Sequence, residues 1–139
     1  MPTTPPLPTV TGRTENALRA LLTKTLSTTP ISSYRGWVVL NAVEANASAS
    51  ATSWRAAVAD ALKVEQGTID EVLDELRSTD LVDDHDAVTS FGRVELSAAR
   101  AVVSATTARL VEDLSEAEQE TTRSVLDRVR IRAEELLHA

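Results

Sequence analysis

The acidic run at residues 83–86 carries residue types that bind cations. Asp83, Asp84 and Asp86 surround His85, and carboxylate and imidazole groups are ligands of hard metals and of zinc. Four adjacent residues rarely converge on one ion, and the sequence shows no second cluster of such ligands. The run is therefore interpreted as a solvated turn, and neither a metal nor another cofactor is expected.

Residues for other common catalytic chemistries are missing. The chain has no cysteine, which excludes disulfides, thiolate metal sites and cysteine nucleophiles. Its two histidines are His85 and His138, and the second is next to the C-terminal residue, so a Ser–His–Asp site has no support. The four glycines form neither a P-loop nor a G-x-G-x-x-G motif. The sequence thus predicts that the protein is not an enzyme.

Acidic residues dominate one segment in the middle of the chain. The 139 residues carry a formal net charge of −7, but residues 65–86 contain nine acids and one base, Arg77, which is a net charge of −8. Nucleic-acid-binding surfaces neutralise phosphates with lysine and arginine. Aromatic residues, at 3%, are too few to form a stacking surface for single strands. Charge therefore disfavours binding of this segment to nucleic acid.

The length and composition are those of one soluble domain, which is expected to be cytoplasmic because no secretory signal or membrane span is evident. Residues 1–12 hold four of the five prolines and are predicted to be a disordered tail. Apolar residues at helical spacing predict helices at about 14–27, 33–46, 53–62, 67–78, 89–114 and 115–138. The predicted fold class is mainly all-α.

The helix at 67–78 has the most regular pattern. Its apolar residues at i, i+3, i+4 and i+7 are Ile69, Val72, Leu73 and Leu76. They should face the core, so the outward face should present Asp70, Glu71, Asp74 and Glu75. These acids could simply favour the helix dipole and solubility, or they could form an acidic docking face.

Five short motifs resemble those of the MarR (multiple-antibiotic-resistance regulator) family. They are the second-helix segment 37–43, the segment 61–69 (similar to A-L-G-L-x-x-S-T-V), the segment 74–82 (similar to D-x-L-x-x-x-G-L-V), the segment 88–93 (similar to L-T-x-x-G-R) and the segment 114–118 (similar to L-S-x-x-E). They occur in the family's order, and the resemblance covers about residues 14–137.

This resemblance implies a homodimeric winged helix-turn-helix regulator of transcription. It implies a single domain at 13–139, with a helix-turn-helix lobe at about 33–88 and dimerisation helices at about 14–27 and 89–138. The family's recognition helix enters the major groove and its basic β-wing contacts the minor groove. Here only residues 83–87 are available for the wing, so the wing hairpin is predicted to be short or absent.

The resemblance also implies two sets of binding residues. Contacts to duplex DNA are assigned to Arg55, Lys63, Gln66 and Thr68. A small aromatic-acid effector is placed near Arg19, Tyr34 and Trp37, where Arg19 would anchor the carboxylate. Trp37 could instead fill the core.

Two functions remain open on the sequence alone. The first is a dimeric regulator that binds duplex DNA, which the acidic recognition helix disfavours. The second is a protein that has lost DNA binding and acts through a ligand or a protein partner. An acidic helix presented on a dimer could, for example, dock on the basic surface of another regulator as an antagonist.

Overall fold

The structure, a computed structural model, describes residues 3–46 and 53–139. Within these residues it contains six α-helices. They are α1 (Leu7–Leu26), α2 (Tyr34–Ala45), α3 (Ser53–Leu62), α4 (Gln66–Ser78), α5 (Ser90–Val111) and α6 (Glu116–Leu137). The mainly all-α fold class is confirmed.

Helix α1 begins earlier than the sequence analysis predicted. It starts at Leu7, so the prediction of a disordered tail over residues 1–12 is wrong for residues 7–12. Pro8 is the second helical residue, where the missing N–H of proline removes no hydrogen bond within the helix. The hydroxyl of Thr11 donates to the carbonyl of Leu7 at 2.9 Å and extends the bonding of this first turn.

Two helices begin at serine caps. Ser33 precedes α2, and its hydroxyl accepts a hydrogen bond from the N–H of Gly36 at 3.0 Å. At α6, Ser115 and Glu118 form a reciprocal capping box: each side chain accepts from the backbone N–H of the other residue. These bonds satisfy N–H groups that a helix start leaves without partners.

The chain divides into two units, Met1–Val103 and Ser104–Ala139. The single domain predicted over 13–139 stays a prediction. The first unit groups α1 and the first part of α5 with the predicted lobe. The first unit contains every buried residue of the described chain.

The core of the first unit is formed by side chains from all five of its helices and from the segment after α4. Its fully buried large side chains are Leu26, Val39, Leu40, Ile69, Leu73, Leu81 and Leu96. The four apolar residues predicted to face inward from α4 are all buried. Trp37 and Trp54 are partly buried and pack against this core.

A tight turn connects α4 to α5. Val82 and Val88 form an antiparallel β-bridge, and within the described residues no longer strand accompanies it. The carboxylate of Asp83 accepts hydrogen bonds from the N–H groups of His85 and Ala87, at 2.8 and 3.0 Å. These two hydrogen bonds lower the pKa of Asp83, and the bond from Ala87 contributes most. Asp83 therefore serves the turn itself.

The second unit has no buried residue. Helix α6 is amphipathic, and Val125, Val129 and Leu136 are exposed on one of its faces. They lie at positions i, i+4 and i+11, which place them along one side of the helix. This unit therefore presents an apolar stripe without a core of its own.

Candidate functional site

The outward face of α4 is acidic. Asp70, Glu71, Asp74 and Glu75 are all exposed. The two aspartates and the two glutamates have different neighbours: the aspartates lie beside arginines, whereas the glutamates line a pocket. The two flanks of α4 therefore differ in their surroundings.

Arg55, which was assigned to DNA, is engaged by carboxylates. It lies on α3, and its Nη1 donates to Oδ1 of Asp70 at 3.2 Å. Its Nη2 donates to Oδ2 of Asp86 in the turn after α4. The guanidinium also lies over the ring of Trp54, 5.6 Å from the ring centre, and its Nε is buried without a hydrogen-bond partner.

Arg77 on α4 binds the other oxygen of the same carboxylate. Its Nη2 donates to Oδ1 of Asp86, and its Nη1 donates to Oδ1 of Asp74 at 2.6 Å. The hydrogen bond to Asp86 is the main cause that raises the pKa of Arg77, with further contributions from the charges of Asp86, Asp74 and Asp84. We call Arg55, Arg77 and Asp86 the Asp86 clasp.

The sequence analysis missed the Asp86 clasp. Arg77 was noted only as the single base of an acidic segment, and Asp86 only as part of a solvated turn. The bond from Arg55 to Asp86 joins residues 31 positions apart, so no local pattern reports it. The clasp leaves the side chains of Arg55, Arg77 and Asp86 only 27, 29 and 24% exposed.

The other residues assigned to DNA have different surroundings. Lys63 follows α3, and its Nζ donates to Oδ1 of Asp60 at 3.3 Å. Gln66 is the first residue of α4 and is exposed, whereas Thr68 is half-buried and lines a pocket with Glu71 and Glu75. Arg55 is not among the residues that line this pocket.

A pocket of about 290 Å³ lies between α1, α2 and α4. It brings together two of the three residues predicted for an effector, because Arg19 and Tyr34 both line it. The guanidinium carbon of Arg19 is 5.7 Å from the ring centre of Tyr34, and Nη2 of Arg19 lies 2.6 Å from Oε1 of Glu15. Trp37 is not among the lining residues.

Charged residues that were not predicted for this pocket also line it. Arg35 contributes a second guanidinium, and Glu71 and Glu75 contribute two carboxylates from α4. The pocket is therefore an aromatic surface bordered by charges of both signs. Helical spacing predicted that Glu71 and Glu75 face outward from α4. It does not predict that residues of α2 line the same pocket.

In the described part of the chain, no group of three or more His, Cys, Asp or Glu side chains could hold a metal ion. None of its helices has the length and apolar character needed to cross a membrane.

Comparison with known proteins gives matches among solved structures. No protein-family model and no curated protein matches the chain. A MarR-family transcriptional regulator from Rhodococcus sp. RHA1 superposes with a TM-score of 0.70 at 23% identity, over 93% of this chain and 98% of that one. The MarR-family protein Rv2887 of Mycobacterium tuberculosis, in complex with salicylic acid, gives 0.65 at 25% identity, over 90% and 98%. The same protein in complex with DNA gives 0.67 at 24% identity, over 91% and 98%.

The chain therefore has the fold of these MarR-family proteins. On this fold, α3 and α4 correspond to the predicted helix-turn-helix, and α4 to its predicted second helix. The two glycines of the MarR-like motifs at 61–69 and 74–82 correspond to Lys63 and Asp80. Both residues have positive φ, 56° and 61°, so the chain keeps the backbone that favours glycine. Neither of these MarR-family proteins is named as an enzyme.

Proposed function

We propose that this MarR-like protein is a homodimeric regulator of transcription that binds duplex DNA weakly. The observation that carries the proposal is the fold: nine-tenths of the chain superposes on nearly all of Rv2887, which has been captured with DNA. A regulator of this kind would act in the bacterial cytoplasm.

The exposed apolar stripe on α6 supports dimerisation. Val125, Val129 and Leu136 are 37, 37 and 61% exposed in the single chain, and the unit that contains them buries nothing. A stripe of this kind is stabilised when a second copy covers it, and two-fold dimers are the commonest assembly. We therefore assign α6 to the dimer interface.

The charges around α4 support weak DNA binding. Two charges of like sign about 4 Å apart repel by ~1 kcal/mol even in bulk water. Several such contacts between the acids of α4 and DNA phosphates would offset much of the ~4–10 kcal/mol that separates specific from non-specific binding. Arg55 and Arg77 do not counter this repulsion while they bind aspartates. Of the four residues predicted to contact DNA, this leaves Lys63, Gln66 and Thr68.

The pocket between α1, α2 and α4 is proposed to take a small aromatic acid. Rv2887 has been captured with salicylic acid. Here Tyr34 offers an aromatic surface, and Arg19 and Arg35 offer guanidiniums for a carboxylate. Glu71 and Glu75 line the same pocket, so a ligand with more than one negative charge is disfavoured.

A second candidate function is docking on a basic protein surface. Glu71 and Glu75 make no ion pair within the described part of the chain, so the acidic face is only partly neutralised by its own arginines. Such a face, present twice on a dimer, would suit a basic surface on another regulator. This function predicts binding to that partner and no preference for any DNA sequence.

The experiment that tests the proposal is fluorescence anisotropy of labelled duplexes at 50–200 mM salt. One duplex comes from upstream of the protein's own gene, and the other is a scrambled duplex of equal length and composition. We expect a measurable preference for the upstream duplex at low salt that is lost at higher salt. If the protein binds neither duplex at any of these salt concentrations, the DNA-binding function is rejected and the docking function is favoured. Tight binding of both duplexes would overturn the charge argument.

A further inference from the structure

We propose that Arg55 and Arg77 form a binding site for a phosphate of duplex DNA, and that Asp86 occupies this site as an internal competitor. The proposal deepens the proposed function and rests on it. In this arrangement the protein's own carboxylate holds the helix-turn-helix in a state of low DNA affinity.

The convergence of two arginines on one carboxylate is the first observation. Arg55 comes from α3 and Arg77 from α4, and each donates to a different oxygen of Asp86. Guanidinium groups bind carboxylate and phosphate oxygens in similar geometry. The carboxylate of Asp86 therefore occupies a cationic site in the way that a bound anion would. The difference is that this anion is part of the chain.

An unused donor in the same site is the second observation. The Nε of Arg55 is buried and has no hydrogen-bond partner. Buried donors are normally satisfied, and one without a partner is costly. The carboxylate of Asp86 has both oxygens engaged by the terminal nitrogens of the two arginines. A DNA phosphate has two charged oxygens, as a carboxylate has, but it is not tethered to the turn, so it can accept from this Nε together with a terminal nitrogen of Arg55.

The location of the clasp selects DNA as the source of the phosphate. Arg55 belongs to the first helix of the helix-turn-helix, Arg77 to the recognition helix and Asp86 to the turn that replaces a wing. The family resemblance places the recognition helix and the wing on the duplex, and it assigns Arg55 to DNA. Thus a backbone phosphate would approach the same edge of the lobe on which the clasp lies.

The backbone at Asp86 allows a clean substitution. Its φ is 59°, in the left-handed region that asparagine and glycine tolerate. Asp86→Asn removes the charge with little change of shape, and Asp86→Gly removes the whole side chain without backbone strain. The turn itself is held by the bonds of Asp83 and by the bridge between Val82 and Val88.

Asp80 provides a matched control. It is an aspartate with nearly the same φ, 61°, and it lies in the same acidic segment. Within the described part of the chain, its carboxylate has no ion pair or hydrogen bond. Asp80→Asn therefore makes the same change of charge without releasing an arginine.

The test measures the affinity of the full-length variants for the scrambled duplex as a function of salt. Each phosphate contact contributes about 0.9 to the slope of log affinity against log salt. Asp86→Asn frees one terminal nitrogen of each arginine, while Arg55 keeps Asp70 and Arg77 keeps Asp74 as partners. Two new phosphate contacts should steepen this slope by about 1.8, so the gain in affinity over the wild type should be about tenfold larger at 50 mM than at 200 mM salt. Asp80→Asn should leave the slope unchanged. The gain should disappear in the triple variant Arg55→Gln, Arg77→Gln, Asp86→Asn.

Two outcomes would overturn the proposal. One is an equal gain for Asp86→Asn and Asp80→Asn, which would show that only total charge matters. The other is that neither Asp86→Asn nor Asp86→Gly gains affinity for the duplex. If Asp86→Asn loses its helical circular dichroism, the result for Asp86→Gly decides. The wild-type titration in the same series reports on the proposed function separately. Sequence preference of the wild type tests that function, whereas the ratio between the two asparagine variants tests the clasp.

Discussion

Lys63 and Asp80 flank helix α4 with the same backbone conformation. Lys63 follows α3 with φ at 56°, and Asp80 follows α4 with φ at 61°. Each closes a helix: the N–H of Lys63 donates to the carbonyl of Asp60, and that of Asp80 to the carbonyl of Arg77. Residues with a Cβ pay a steric penalty in this region, commonly about 1–2 kcal/mol.

The first prediction is that Asp80→Gly raises the free energy of unfolding by up to about 1 kcal/mol. Glycine relieves the left-handed strain but gains entropy in the unfolded chain, so the net effect is smaller than the strain itself. Urea denaturation at one fixed protein concentration measures the effect. Ala57→Gly, at an exposed position within α3, is the control and should cost about 0.5–1 kcal/mol. A loss of stability in Asp80→Gly would contradict the assigned strain.

The second prediction concerns Gly92 in the first turn of α5. A Cβ at this position would collide with the backbone carbonyl of Leu81 and would lie 2.9 Å from Cγ1 of Val88. Backbone atoms cannot move away as a flexible side chain can, so Gly92→Ala should destabilise the protein by about 1–3 kcal/mol.

Gly67 is the natural control for this substitution. A Cβ there meets nothing within 4 Å, and Gly67 lies in α4, where alanine is the better helix former. Gly67→Ala should therefore stabilise by about 0.5–1 kcal/mol. Thermal denaturation of both variants checks the pair, and effects of the same sign would show that the packing around Gly92 is not as described.

The third prediction tests the proposed dimer. Val129→Asp puts a charge in the middle of the exposed stripe on α6, and the buried charge should break the interface. Light scattering should show the molar mass falling by half at low micromolar concentration. Ser124→Asp adds the same charge on another side of α6 and should leave the mass unchanged. An unchanged mass in both variants would place the interface elsewhere.

The fourth prediction concerns the capping box of α6. Hydrogen bonds from the backbone N–H and the side chain of Ser115 hold the pKa of Glu118 below its ordinary value of about 4.3. Because the pKa is lowered in the folded state, Glu118 stabilises the helix above this value and the contribution is lost as the pH falls through the lowered pKa.

Carbon-detected NMR titration of Glu118 measures this shift directly. Ser115→Ala removes only the side-chain cause, so the pKa of Glu118 should rise part of the way to its ordinary value. Full recovery would mean that the backbone bond contributes nothing, and no change would mean that the hydroxyl does not take part.

Local signals explain what could be predicted from the sequence. The burial of Ile69 and Leu73 follows from helical periodicity, and the start of α6 follows from the spacing of Ser115 and Glu118. Both signals act within a few residues. The start of α1 was misjudged because proline was interpreted as a breaker, whereas at the second helical position Pro8 fits the helix.

The candidate sites depend on contacts between distant residues, which periodicity does not report. The pairing of Arg19 with Tyr34 was anticipated through the family resemblance. The partners of Arg55 were not, because Asp70 and Asp86 come from a helix and a turn that only the tertiary fold brings to α3. The effect on function is large, since an arginine assigned to DNA is found bound to carboxylates.

The Asp86 clasp also has a genetic consequence. Two guanidiniums share one carboxylate, so one codon affects the partners of both, although Asp70 still binds Arg55 and Asp74 still binds Arg77. Either aspartate codon becomes an asparagine or a glycine codon through one nucleotide substitution, and the backbone at Asp86 accepts both residues. A population carrying this gene would therefore be one point mutation away from a form in which neither arginine binds Asp86.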